Sequence, residues 1–495
     1  MMQISLDRGN GDGRPIYQRI AAAIRVELAA QRLAPGDRLP PIRELARRLG
    51  VNRDTVALAY EALAEAGVVE ASVGRGTFVA ERSAPRAAAA PVAPPPLSPL
   101  AQRVLDLEHA RPRFGSADGA VPLHTLIPDP GLYPAEDFRR VLNRVLASGG
   151  PDLLLYGEAQ GHPRMRAVLA ERLRASGIAV SADELVLCHG ASQGIALALR
   201  LFAEPGDAIA LEEPTYHNVL AAVVGLGLRA APIAMREGGL DLAAAERTLA
   251  RPDVKVLYTI PSFHNPLGTT TSREHRRALL EIAARCGKPV IEDGYELDLR
   301  LEGRPVPSLA ALDVAGLVVH LHSFSKSLFP GVRVGAVAAR GRLVEALLAL
   351  KRATDLSDAM PLQAALAEFV ASGAYDRHLV RLRRVLRARR DALCDALAEH
   401  LPEGASFARP EGGTQLWVEL PGGIDTADLL ADAIGAGVLF APGSQFFCDG
   451  RASSGMRLSF AMADEASIRR GVAALGALAC RRRASGARPA AGIQV

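Results

Sequence analysis

The chain has 495 residues, of which 49% are apolar, 4% aromatic and 23% charged, with a formal net charge of +4. Such a length allows about three domain-sized units with substantial cores. The near balance of charge excludes a chain that is basic throughout, and five cysteines without a C-x-x-C pair argue against a disulfide framework or a zinc site. No apolar run reaches the ~18 residues of a membrane span. Asp7 and Arg8 precede any apolar run, so no signal peptide is visible. These features predict a cytoplasmic protein with reduced thiols, no metal and no membrane contact.

In chain order, "PIYQRIAAAIRVELAAQ" sets Ile16, Ile20, Ile24 and Leu28 at helical spacing. "APGDRLP" is a turn, and "PIRELARRLG" a short helix ending at Gly50. "VNRDTVALAYEALAEAG" predicts a further helix, with Asn52 as its cap and Gly67 as its stop. Two short strands follow, joined by Gly74-Arg75-Gly76. This order is that of a winged helix-turn-helix, whose recognition helix offers its first residues to base edges. Here those are Asn52, Arg53 and Thr55, with Arg43 on the preceding helix and Arg75 on the wing. Arginine suits guanine and asparagine suits adenine.

Charge alone does not argue for DNA, since residues 1–80 hold 11 Arg against 9 acidic residues. The pattern does. "GDRLPPIRELARRLGVNRDTVALAYEALAEAGVVEASVGRGTFV" resembles the GntR-type winged helix, which implies double-stranded DNA as a partner. Pro41 departs from the serine usual in that family, and Asp54 beside Arg53 would repel a close phosphate.

Residues 81–118 contain "SAPRAAAAPVAPPPLSPL", which predicts an extended, semi-stiff linker between a DNA-binding domain at 1–80 and a large domain at 119–480. Residues 481–495 read as a frayed basic tail. Within the large block, "ELVLCHG", "DAIALEEP", "VKVLYTIP", "KPVIEDGY" and "LVVHLHSF" alternate with helical patterns. This predicts an α/β fold with a mainly parallel sheet, in which ligands sit at the carboxyl ends of strands. Gly190–Gln193, Tyr216, Asn265, Asp293, Tyr295 and Ser323–Lys326 cluster at such ends.

The chain has only four lysines, and Lys326 lies among serines in "HSFSKSLFPGVRVG", residues 322–335. A desolvated amine can form a Schiff base with an aldehyde. Pyridoxal phosphate needs such a lysine, a carboxylate at its ring nitrogen and a cup for its phosphate. Asp293 can supply the carboxylate. Asn265 or Tyr295 can donate to the ring oxygen, and Tyr216 offers a stacking face. Ala191 and Ser192, at a helix start, can join Ser323, Ser325 and Arg333 in a phosphate cup. Taken singly, each of these residues has a plainer reading as a core, turn or strand-end residue.

Jointly their order resembles fold-type I aminotransferases of class I/II over roughly residues 120–480, with "HNPLG", "SFSKSLFPGVRVG", "APGSQF" and "GMRLSFA" as further matches. The resemblance implies a smaller C-terminal α+β subdomain. It also implies that Lys326 is the cofactor lysine, that Arg457 meets a substrate carboxylate, and that Tyr156 reaches the cofactor phosphate of a second subunit. The combination of both halves resembles the MocR/GabR-type regulators. That likeness implies a pyridoxal-phosphate sensor of an amino-acid-like effector, a head-to-tail homodimer, and an operator with two half-sites. The alternative is a working aminotransferase with an appended DNA-binding domain.

Overall fold

The computed structural model describes residues 15–30, 32–72, 75–80, 95–112 and 119–484. The boundary between two compact units falls after Pro96.

The first unit contains helices Ile16–Ala29, Ile42–Leu49 and Arg53–Glu65, then an antiparallel ribbon of Val69–Ser72 and Gly76–Val79. Ile20, Ile24, Leu45, Val56, Leu63 and Val79 form its core. Ile16, expected on the apolar stripe, is 49% exposed, because the packed face begins one turn later at Ile20. The middle helix stops where Gly50 turns left-handed at φ 67° and its N–H reaches Ala46 O, a conformation cheap only for a residue without Cβ. Leu39 N–H donates to Thr77 O at 2.8 Å and fastens the ribbon to the loop before that helix.

The second unit is built on an eight-stranded sheet in the order 185–188, 335–338, 318–323, 290–294, 254–259, 208–213, 229–236, 239–240. Strands 318–323, 290–294, 254–259, 208–213 and 229–236 run parallel. Strand Gly335–Ala338 is antiparallel to both its neighbours. Val290–Gly294 and Leu185–Cys188 are buried throughout, as strands covered on both faces are, whereas Arg229–Arg236, near the sheet edge, exposes most of its residues. A smaller antiparallel sheet of 406–407, 415–419, 455–459 and 441–442 lies in the C-terminal part, with the paired helices Ala374–His400 and Glu465–Ala484. Among the described residues no helix is long and apolar enough to cross a membrane.

The large unit reaches further at both ends than its composition suggested. Inside the stretch expected to be an extended linker, Pro99–His109 form a helix. Ser98 Oγ caps it by accepting from Ala101 N–H at 3.1 Å, and Pro99 occupies the first turn, where no amide is needed. This helix packs against His217–Gly225. The final helix continues through Ala484, and Arg482 within the expected tail donates to Asp432 Oδ2 at 2.7 Å. The remainder of the expected linker and tail, at 81–94, 113–118 and 485–495, lies outside the described residues, as does Gly74 of the wing.

Candidate functional site

The carboxyl ends of the parallel strands open into one cavity of about 490 Å³. Strand Leu185–Cys188 leads through Gly190 into helix Ala191–Phe202, which presents Ala191 and Ser192. Strand Ala208–Glu213 delivers Tyr216, and Val254–Thr259 leads to Asn265. Val290–Gly294 carries Asp293, with Tyr295 just beyond. Val318–Ser323 ends in Ser323, followed by Ser325, Lys326 and, after a turn, Arg333. Arg457 arrives from strand Gly455–Ser459 of the smaller sheet. Tyr156 does not line this cavity and is 83% exposed.

The backbone is shaped to bring these groups close. Gly190 has φ 81°, and an added Cβ would stand 3.2 Å from Arg333 Nη1. A Cβ on Gly335 would meet Gly190 Cα and His322 O, each at 2.9 Å. Arg333 itself adopts φ 49° and donates through Nη2 to His189 O. The guanidinium is thus held over the start of the helix whose free N–H groups face the same cavity.

Burial governs the charges. Asp293 is 2% exposed and is pushed up to about 6 by burial, against the opposing hydrogen bond from Tyr258. Tyr258 donates to Asp293 Oδ2 at 2.6 Å, whereas Oδ1 has no hydrogen-bond partner among the described residues. Lys326 is pulled down to about 8 by burial, with Glu296 opposing and Arg457 reinforcing that shift. Arg457 is brought down to about 10 by burial, and donates to Asn265 Oδ1 at 3.0 Å and to His124 O at 2.7 Å. His217, lowered to about 3 chiefly by burial, and His124, lowered to about 4 for the same reason, are neutral at pH 7.

These contacts separate the two residues expected to donate to a ring oxygen. The Tyr295 hydroxyl donates to Phe263 O at 3.1 Å and accepts from Gln415 Nε2 at 2.7 Å, so its proton is committed away from a ring oxygen. Asn265 turns its oxygen to Arg457, which leaves its amide N–H₂ to donate. Sequence reasoning missed Tyr258, Glu296 and Arg111. Tyr258 sits inside an apolar strand pattern and Arg111 lies in a stretch read as linker, so neither carried a local signal.

In the first unit Arg43, Asn52, Arg53 and Arg75 are exposed and Thr55 is half-buried. Asn52 Oδ1 accepts from Asp54 N–H at 3.2 Å, so the asparagine caps its helix.

Comparison with known proteins matches residues 129–475 to the family described as Aminotransferase class I and II, and residues 16–79 to bacterial regulatory proteins of the gntR family. The chain is 30% identical to the probable rhizopine catabolism regulatory protein MocR of Rhizobium meliloti, over 96% of each chain. It is 32% identical to the uncharacterized HTH-type transcriptional regulator YdcR of Escherichia coli, over 87% of this chain and 92% of that one. Among solved structures it resembles LysN, an α-aminoadipate aminotransferase from Thermus thermophilus complexed with N-(5'-phosphopyridoxyl)-L-leucine. The TM-score is 0.70 at 31% identity, covering 78% of this chain and 96% of that one.

Proposed function

This chain belongs to the class I and II aminotransferase family and carries a gntR-family DNA-binding domain at its N-terminus, and on that premise we propose that its large domain holds pyridoxal 5'-phosphate and senses an amino compound for a transcriptional regulator. Its relatives over nearly the whole chain include proteins named as regulators, which favours this reading over an aminotransferase with an appended DNA-binding domain. The observation that carries the sensing role is the cavity: a lysine amine lowered by burial, a buried carboxylate with one unpartnered oxygen, and a guanidinium over a helix start share about 490 Å³.

The donor set fits this cofactor. Asp293 Oδ1 lacks a donor among the described residues, and a protonated ring nitrogen is the donor it would take. The close approach at Gly190 leaves room for a phosphate against Arg333, Ser323, Ser325 and the N–H groups at Ala191 and Ser192. When bound, the cofactor supplies an aldehyde for amines and an electron-withdrawing ring.

The chain's own residues do the rest. Lys326 at about 8 keeps a far larger neutral fraction near pH 7 than an ordinary lysine, and the neutral amine is the form that attacks a carbonyl carbon. Asn265 offers its N–H₂ to a ring oxygen. The Tyr216 hydroxyl accepts from Asn218 Nδ2 at 2.7 Å, which holds its ring in place to stack. Arg457 has an Nε without a hydrogen-bond partner among the described residues, and offers its fork to an effector carboxylate. The effector can switch DNA binding only through different affinity for two states of the protein.

The exposed run Leu154, Leu155 and Tyr156, at 71%, 65% and 83%, supports a homodimer in which Tyr156 completes the neighbouring site, arranged head-to-tail. Two DNA-binding domains would then engage an operator with two half-sites, using Arg43, Arg53, Thr55, Arg75 and the remaining N–H₂ of Asn52.

One titration series tests the reading. Full-length protein loaded with cofactor is mixed with amino compounds, and visible absorbance and DNA retention are followed in the same samples. A spectral change that tracks DNA affinity is expected. Sustained turnover with a keto-acid acceptor and no change in DNA binding would instead make the chain an enzyme.

A further inference from the structure

The cavity holds one cation more than the proposed function uses. Its charged lining residues among those described are Arg111, Lys326, Arg333 and Arg457 against Asp293 alone. Lys326, Arg333 and Asp293 are assigned to the cofactor, and Arg457 to the effector's carboxylate. Arg111 remains. It comes from the segment just after helix Pro99–His109, on the covalent path by which the chain enters the large unit from the DNA-binding unit.

Arg111 is built into the site. Its Nη2 donates to Asn218 Oδ1 at 3.2 Å, and Asn218 Nδ2 donates in turn to the Tyr216 hydroxyl at 2.7 Å. Its side chain is 31% exposed, so it is recessed but reachable. The other contact is an ion pair from Nη1 to Glu108 Oε2 at 2.8 Å, where Glu108 is 61% exposed. A pair so open to water is weak and yields to a better-placed anion. Arg457 is anchored separately, on Asn265 and the His124 carbonyl, so the two guanidinium groups share no hydrogen-bond partner. Both still act on the Tyr216 hydroxyl and on His217. His217 is itself neutral and adds no charge of its own.

We infer that Arg111 is a second anion contact, and that the effector is an amino acid carrying a second negative group: the α-carboxylate on Arg457, the distal anion on Arg111. This rests on the sensing role proposed above. Asn218 is then a positioning residue, since it aims the guanidinium through a hydrogen bond and is itself held by Tyr216.

The test uses pairs that differ in charge but hardly in size: L-aspartate against L-asparagine, and L-glutamate against L-glutamine. Each is titrated into cofactor-loaded full-length protein and followed by visible absorbance. The wild type should prefer the acid in at least one pair by roughly 10-fold or more, the value of a hydrogen bond to a charged group. Arg111→Gln should bring that ratio close to one, and Arg111→Lys should keep part of it. An intact cofactor band in each variant reports that the site still folds. Equal affinity for acid and amide in the wild type, or an unchanged ratio in Arg111→Gln, overturns the assignment alone. No response to any amino compound overturns the sensing role, and this assignment with it.

Discussion

The Tyr258 hydroxyl donates to Asp293 Oδ2 at 2.6 Å, while Oδ1 of the same carboxylate has no hydrogen-bond partner among the described residues. The acid is therefore half satisfied, and it stands at about 6 in place of 3.8 because burial disfavours its charge. Its ionisation costs the cofactor-free fold nothing below about pH 3.8, increasingly from there to about 6, and fully above 6. Asp293→Asn should thus stabilise the cofactor-free protein by about 1–3 kcal/mol at neutral pH and leave it unchanged near pH 3.8. The same variant should bind pyridoxal phosphate more weakly. Denaturant unfolding at the two pH values checks the first part, and a stability difference that does not grow with pH would refute it.

Lys326→Ala should abolish the visible band of the lysine-linked cofactor without unfolding the protein. No other lysine can take its place. Lys351 is buried against Asp358 at 2.8 Å, while Lys255 and Lys288 donate to the backbone carbonyls of Pro252 and Val254. A normal band in the variant would move the cofactor elsewhere.

The rate at which cofactor-free protein acquires that band should rise as pH increases through about 8 and then level, because the neutral amine is the reactive form. Glu296 raises the amine's pKa, so Glu296→Gln should move the midpoint to lower pH. A rate profile unchanged by Glu296→Gln would mean that this carboxylate does not act on the amine.

Arg457→Gln should lower affinity for amino acids by roughly 10-fold to 100-fold, the usual worth of a hydrogen bond to a charged group, and leave amines without a carboxylate little affected. Absorbance titration of matched compounds separates the two. Equal losses for both would make Arg457 a packing residue.

Arg53→Ala should cost about 1–3 kcal/mol of specific DNA binding, with no change in the cofactor band. Electrophoretic retention on operator and on random DNA checks it. Should both fall alike, Arg53 holds phosphate and reads no base.

Much of this protein was legible from local pattern. Apolar residues at helical spacing, the Asn52 cap and the stop at Gly50 define the helices of the first unit before any tertiary contact is known. In the large unit Arg457, in mid-strand of the smaller antiparallel sheet, was reached only through the family resemblance, but short apolar runs ending in polar residues marked the strand ends, and Lys326, Asp293, Asn265, Tyr216 and Arg333 at those ends all line one cavity. Local pattern sufficed there because a strand end in a parallel sheet is a binding position whatever the neighbours are.

Tertiary structure alone decided how those groups are tuned. Asp293 is met by Tyr258, Tyr295 is held by Gln415, and Arg457 is anchored on Asn265, pairings set by the sheet order and the approach of the smaller sheet. Residues 35 to 192 positions apart leave no periodic trace of their contact. Arg111 makes the point most plainly. Its Pro/Ala-rich surroundings gave no sign of a site, yet the helix capped by Ser98 carries it to Asn218, 107 residues away, in the lining of the cavity. Composition reports how strongly a segment prefers to be ordered alone, and cannot report the partner against which it orders.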